Sequence, residues 1–389
     1  MKKRKKIVIL LGAGFPIAWG APSSDEILKL IMDDEKFMYS DDITWGKFIY
    51  DALKSFYEDE GATISFETII AVSETLMNYV FASTTEGRNT YNTSFVPAIQ
   101  SLVDLIETEI EKKGSINKKR EYIFDMYKHF VDIVLEGIKS YDYGISNPNY
   151  EQLNSQINKF VVYLLNKKYS VKIYTTNYDS IIPQILSERN IYTGEHEHAT
   201  GLDVVYKPDY KKNVESHLSY FSLHGSIYWT SKFIDIRQVI VKSTLVDGVK
   251  ALKAPGGNPN EPLIFSPIIV GYTKSQRSLM HPFNIGFTNL ANDCNDCNRL
   301  LTIGYSFSDP HINSILQSNT DFSKVRLVNV GYMDSFEDSQ EYQRISSSIR
   351  SIYTDKEEDM WFYGQENSVV AFKKGAQEFF LNDDNWGRI

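Results

Sequence analysis

The sequence predicts an α/β fold, a doubly wound parallel sheet with a large helical insertion, and three observations predict it. Ile7-Val8-Ile9-Leu10-Leu11 is an unbroken aliphatic run that suits a strand covered on both faces, and it breaks into Gly12-Ala13-Gly14. The same theme of strand, polar or glycine turn, then helix returns at Val171–Thr175 and at Arg299–Ile303. Between the first two of these strands, residues 45–150 are helical in pattern and offer no parallel strand.

Gly12 and Gly14 allow a sharp turn and close approach to a ligand where a Cβ would clash. After Gly20-Ala21-Pro22, Ser23 stands three residues before Glu26, the spacing of a capping box, so a helix is expected to begin there. Strand, glycine loop and helix start make a phosphate cradle. The third glycine of the dinucleotide fingerprint is missing, and no Gly-Lys-Ser/Thr follows as in a P-loop.

In the insertion, Ile99, Leu102, Val103, Ile106 and Ile110 share one helix face, and Ile123, Tyr127, Phe130, Val134 and Ile138 share another. Nothing there groups titratable residues for chemistry, so a packing and assembly role is expected. Residues 84–89 and 113–117 read as connections.

The α/β pattern resumes with a helix carrying Ile157, Phe160, Val161 and Leu164, followed by the strand Val171–Thr175. Thr176-Asn177-Tyr178-Asp179 then lie at a strand's carboxyl end, where open α/β sheets bind ligands. Residues 202–270 are more β-like and include Leu223-His224-Gly225-Ser226, with a loop at 254–260. A helix is expected over 276–292, then the strand at Arg299–Ile303, Gly304-Tyr305-Ser306-Phe307, and a helix opened by Ser308-Asp309-Pro310 with Asp309 as cap. Val325–Val330 is a further strand, and the remaining residues complete the same fold.

The 389 residues allow one α/β domain with an insertion, or two domains. No window has the apolar length of a membrane span. Met1 to Lys6 is lysine-rich, but the apolar run after it is short and leads into the glycine loop without a cleavage site, so a cytoplasmic protein is expected. A net charge of −9 disfavours direct nucleic-acid binding. Cys294 and Cys297 are the only cysteines, which fits a reducing compartment. Their Cys-x-x-Cys spacing is half of a zinc site without the other half, so they read as ordinary residues and no metal is expected. Glu195-His196-Glu197-His198 reads as a solvated loop.

Taken alone, Asn177 reads as a helix cap and His224 as a packed core histidine. Together, Gly12-Ala13-Gly14, Thr175-Thr176-Asn177-Tyr178-Asp179, Leu223-His224-Gly225-Ser226 and Gly304-Tyr305-Ser306-Phe307-Ser308-Asp309 with Ile312-Asn313 resemble the motifs of sirtuin-like proteins, in the family's order. Their form resembles the bacterial antiphage-defence branch, whose members break down NAD. The resemblance implies a Rossmann-like, sirtuin-like NAD-binding catalytic domain over residues 1–389 with 45–150 as the insertion. NAD would be substrate, with Gly12, Ala13 and Gly14 facing its pyrophosphate and Asn177 beside the nicotinamide ribose. His224 would be the catalytic base, Asp179 would orient its loop or bond the ribose, and Gly304, Ser306 and Asn329 would surround the adenosine half.

The implied activity is NAD hydrolysis to nicotinamide and ADP-ribose, as a toxic effector that depletes NAD. The implied assembly is a homo-oligomer paired with a HerA-type ATPase. The alternatives are an NAD-dependent protein deacylase and a non-catalytic NAD or ADP-ribose sensor. The chain lacks the two Cys pairs of the deacylases' zinc module, has Gly20-Ala21-Pro22-Ser23-Ser24-Asp25 where they carry Gly-Ile-Pro then Asp-Phe-Arg, and has Phe15-Pro16 where a small residue and serine are usual. Those departures weaken deacylation more than hydrolysis, which needs only NAD and water.

Overall fold

The computed structural model describes residues 4–57, 64–81, 104–106, 108–112, 116–142, 146–197, 204–234, 237–253, 263–271, 274–281, 283–332, 354–358, 360–364 and 369–389. Ile99, Leu102, Val103, the connection at 84–89 and the loop at 254–260 lie outside the described residues. The chain forms two compact units, one of residues 1–21, 139–226 and 275–389, the other of 22–138 and 227–274.

The first unit holds an eight-stranded sheet, its strands numbered along the chain: β1 Lys5–Leu11, β2 Tyr169–Thr175, β3 Leu218–Ser222, β4 Arg299–Ile303, β5 Arg326–Val330, β6 Thr354–Glu358, β7 Trp361–Gly364 and β8 Val369–Phe372. Their spatial order is β6-β7-β8-β5-β4-β1-β2-β3. All pairs from β8 to β3 are parallel, and β6 and β7 add an antiparallel edge. From β1 the chain winds one way through β2 and β3, then returns to the other side of β1 for β4, β5 and β8. Winding therefore reverses between β1 and β4, the topological switch point where such sheets bind ligands.

The register makes that edge level. Leu11 is opposite Thr175 on β2 and Ile303 on β4, Thr175 is opposite Ser222, and Ile303 is opposite Val330. Five adjacent strands thus end in one row, and Gly12, Thr176, Leu223, Gly304 and Gly331 are the next residues. The expected aliphatic strand is fully realised, with Ile7 to Leu11 at most 2% exposed.

Helix Glu151–Asn166 covers the sheet with Leu153, Ile157, Phe160, Val161 and Leu164. Phe160 meets Phe379, Phe380 and Trp386 edge-on, ring centroids 5.4–5.8 Å apart. On its polar side the unit is tied by Asp293, which accepts from Lys6 Nζ at 2.7 Å, Tyr174 Oη at 2.6 Å and Asn213 Nδ2 at 3.0 Å. Lys172, buried beneath Asn213 and Ser216, has its ammonium pushed down to about 8 by that burial.

Two local expectations are corrected. Residues 276–292 are not one helix but parts of two, Lys274–Ser278 and Phe283–Asn295; Pro282 disfavours helical backbone in the residue before it. Glu195–Glu197 is not a loop but a strand, paired antiparallel with Val204–Tyr206. The buried Val205 and Tyr206 supply the apolar support that the local sequence lacks, and His198 lies outside the described residues.

In the second unit, Ser24–Asp33, Trp45–Tyr57, Phe66–Phe81 and most of Ile116–Asp142 are helical. The capping box forms as the spacing predicts, Ser23 N–H donating to Glu26 Oε2 at 2.7 Å and Glu26 N–H to Ser23 Oγ at 3.2 Å. Ile123, Tyr127, Phe130, Val134 and Ile138 are buried as a stripe. Trp229–Ile234 pairs antiparallel with Arg237–Lys242, and Lys250–Leu252 with Leu263–Phe265.

Candidate active site

The two glycine turns at the switch point are built against each other. Gly12 N–H donates to Ile303 O at 3.0 Å and Gly14 N–H to Gly304 O at 2.9 Å. A Cβ on Gly12 would lie 2.5 Å from both Gly304 O and Tyr305 Cα, and Gly304 itself has φ +62°. These glycines are therefore required by backbone packed on backbone, before any ligand is considered. Ala13 is the exposed member of the loop, while Phe15 turns inward against Trp19 and Phe380, centroids 5.0 and 6.3 Å away. The unusual Phe15 is thus a core residue that anchors the loop.

Asn177 follows β2 and does not cap the next helix. Its backbone N–H donates to Thr175 Oγ1 and its Nδ2 to Gly12 O, both at 3.0 Å. That second bond ties the end of β2 to the glycine loop. Helix Ile181–Ile185 instead receives Asp179, whose Oδ1 accepts from Ile181 N–H at 3.2 Å while Oδ2 accepts from Tyr141 Oη at 3.2 Å.

Asp179 is 4% exposed, and burial together with the neighbouring Asp142 pushes its carboxyl up to about 7, against the pull of its hydrogen bonds. The folded state then holds a proton that the unfolded state releases near 3.8, so this group's contribution is full at low pH and is lost as pH rises towards 7. Asp179→Asn should therefore gain stability relative to the parent between pH 5 and pH 8. Urea unfolding at both pH values checks it, and an equal difference at the two would remove Asp179 as the cause.

His224 follows β3, where Leu223 N–H donates to Thr175 O at 2.8 Å and Gly225 turns with φ +95°. The imidazole is 1% exposed, and its Nε2 lies 3.1 Å from Nε2 of His311. Phe287 borders both rings, with centroids 6.2 Å from His224 and 5.5 Å from His311. His311 sits on helix Pro310–Asn319, immediately after β4's turn, and Asp309 precedes it as the N-cap residue, its carbonyl accepting from Ile312 N–H at 3.1 Å while its side chain makes no capping bond. Sequence reasoning placed Asp309 as a cap and His311 as a helix residue, and so missed that they meet His224. No signal in the sequence reveals this meeting, because it depends on β3 and β4 ending in the same row, which only their register sets.

Around the other half of the edge, Ser306 Oγ and Ser308 Oγ are 2.9 Å apart. Phe307 holds φ +55°, costly for a bulky residue, and is pinned by Asn313, whose Nδ2 donates to Phe307 O while its Oδ1 accepts from Tyr305 Oη, both at 2.8 Å. Asn329, 1% exposed on β5, accepts from Thr302 Oγ1 at 2.7 Å, and its Nδ2 is buried without a partner among the described residues. The switch point of the sheet, two glycine turns with no room for side chains, a strand-end amide and an unspent buried amide donor fit a dinucleotide.

The two cysteines do not reach this edge. Both are buried, and burial pushes both thiols up, Cys297 to about 12, which disfavours the thiolates a zinc site needs. A groove lined by Asn154, Asn158, Gln184 and Arg189 contains none of the strand-end residues. Among the described residues no helix is long and apolar enough to cross a membrane.

No curated protein matches the chain. Residues 171–352 match the family model described as SIR2-like domain, a stretch that contains Asn177, Asp179, His224, Gly304, Ser306 and Asn329 and leaves the glycine loop at 12–14 outside it. SIR2-like domains bind NAD, and this match, at the carboxyl edge of a sheet wound as above, supports a sirtuin-like family for the chain.

Proposed function

We propose that the chain is an NAD hydrolase that releases nicotinamide and ADP-ribose. One observation carries the reading: the buried His224, the amide of Asn177 bonded to the glycine loop, and the two glycine turns all follow strands that end in one row at the switch point. Breaking the N-glycosidic bond sends its electron pair to the nicotinamide nitrogen and leaves positive charge on the ribose. Water adds to that carbon, and His224 accepts the water's proton, a role that a carboxylate or amine of ordinary pKa fills less well near neutral pH. Asn177 adds no charge; its Oδ1 remains for a ribose hydroxyl or the water, since Nδ2 is committed to Gly12. Gly12, Ala13 and Gly14 take the pyrophosphate, Gly304, Ser306 and Asn329 the adenosine half, and Asp179 orients the Asn177 loop through Tyr141 and Ile181.

The wider reading is that this activity depletes NAD as the effector of an antiphage defence system in the cytoplasm, in a homo-oligomer restrained by a HerA-type ATPase. The resemblance of the four motifs supports that part. Incubation of the purified chain with NAD alone tests the chemistry. Equimolar nicotinamide and ADP-ribose are expected without any acyl peptide. Turnover that begins only when an acylated peptide is added would make the chain a deacylase, and binding without turnover would make it a sensor.

A further inference from the structure

His224, Asp309 and His311 each offer one donor atom, and the three donors lie within 4.8 Å of one another. We propose that they form a binding site for a divalent cation of the zinc class. The histidine nitrogens are 3.1 Å apart, close to the ~3.3 Å separating two donors that share a tetrahedral zinc at about 2.0–2.1 Å each. Two imidazoles and a carboxylate are the donor set such an ion prefers over the harder calcium or magnesium. A fourth position stays open for water.

The backbone around the site is fixed before any ion arrives. His224 is held by β3's exit and Gly225, while Asp309 and His311 follow the turn that Asn313 pins through Phe307 and Tyr305. Phe287 provides an apolar wall beside both rings, which lowers the local dielectric and favours charge pairing with a cation. His311 and Asp309 are partly exposed, so an ion reaches the buried His224 from their side.

The site is separate from the cysteine pair. Its consequence, which rests on the NAD-hydrolase reading, is regulatory: an ion on Nε2 of His224 occupies the lone pair that would accept the water's proton. The loaded enzyme is therefore silent and the stripped one active.

The test uses the full chain stripped with a chelator, incubated with zinc chloride, desalted and assayed for metal, with cobalt as a spectroscopic probe of ligand number. One zinc per chain is expected, and it is retained by the Cys294→Ser/Cys297→Ser double variant. His311→Gln should weaken retention about 100-fold and Asp309→Asn about tenfold, with unfolding curves showing that each variant folds. Absence of bound zinc, or retention unchanged in both variants, overturns the proposal. NAD turnover of the parent chain should fall at least tenfold when loaded and recover with chelator; unchanged turnover overturns the regulatory role. Zinc binding as stated with no NAD cleavage in any form would sink the hydrolase reading and leave the metal site standing.

Discussion

Alanine at Asn177 or His224 is expected to lower NAD cleavage by about 10²–10⁴-fold while leaving a cooperative unfolding transition. For Asn177 the reason is geometric as well as chemical. Its Nδ2 bond to Gly12 O is a direct link between β2's end and the glycine loop, so alanine removes both the carbonyl proposed to face the ribose and the bond that aims it. His224 is 1% exposed, so alanine there also leaves a cavity and removes the contact with His311. His224→Gln separates the two effects, because glutamine keeps most of the volume and a hydrogen-bonding end yet accepts no proton near neutral pH. It should fall as far as alanine in turnover and less far in stability. Turnover near that of the parent in either Asn177→Ala or His224→Gln would remove that residue from the mechanism.

The second large effect is on folding. Gly12→Ala should cost more than about 4 kcal/mol, in the range reserved for changes a core cannot absorb. The new Cβ would meet backbone atoms of Gly304 and Tyr305 at 2.5 Å, and those atoms cannot retreat, because Gly304 N–H is held by Val330 O at 2.7 Å and its carbonyl by Gly14 N–H. Gly304→Ala adds a left-handed φ to a clash with the Phe15 backbone nitrogen. Ala13→Ser, exposed between the two, should change stability by less than about 0.5 kcal/mol. Soluble yield and urea midpoints of the three variants decide the matter. A Gly12→Ala protein with the parent's midpoint and no affinity for NAD would show that the glycine serves the ligand alone.

Much of the sheet and its edge was legible because one logic recurs: an aliphatic run, then a small or polar turn. That logic placed Gly12, Asn177, His224 and Gly304 at strand ends without any knowledge of which strands are neighbours. It could not show that five ends are level, since register depends on pairs such as Leu11 with Ile303, far apart in sequence. His311 was invisible for the same reason. Phe15 looked like a departure from a cofactor contact, and only its packing on Trp19 and Phe380 reveals a core role. The partners of Asp179, Tyr141 and Asp142, come from the end of a long helix whose pattern announced nothing but a buried face. The strand Glu195–Glu197 escaped notice because its support comes from Val205 and Tyr206 across the hairpin.

The place of β1 at the centre of the sheet has a consequence for synthesis. Ile7–Leu11 leaves the ribosome well before its neighbours: Leu11 bonds Thr175 across 164 residues, and Lys6 meets Asn298 across 292. At roughly 5–20 residues per second, this aliphatic strand waits on the order of 15–60 s for its second partner. During that wait it has at most β2 beside it and keeps one edge open, which makes the segment aggregation-prone. The same delay orders the assembly of the crevice. Gly12 and Gly14 have no opposing wall until Gly304 is made, so the nascent chain carries an incomplete cradle until then and closes it only after β4 has docked beside β1.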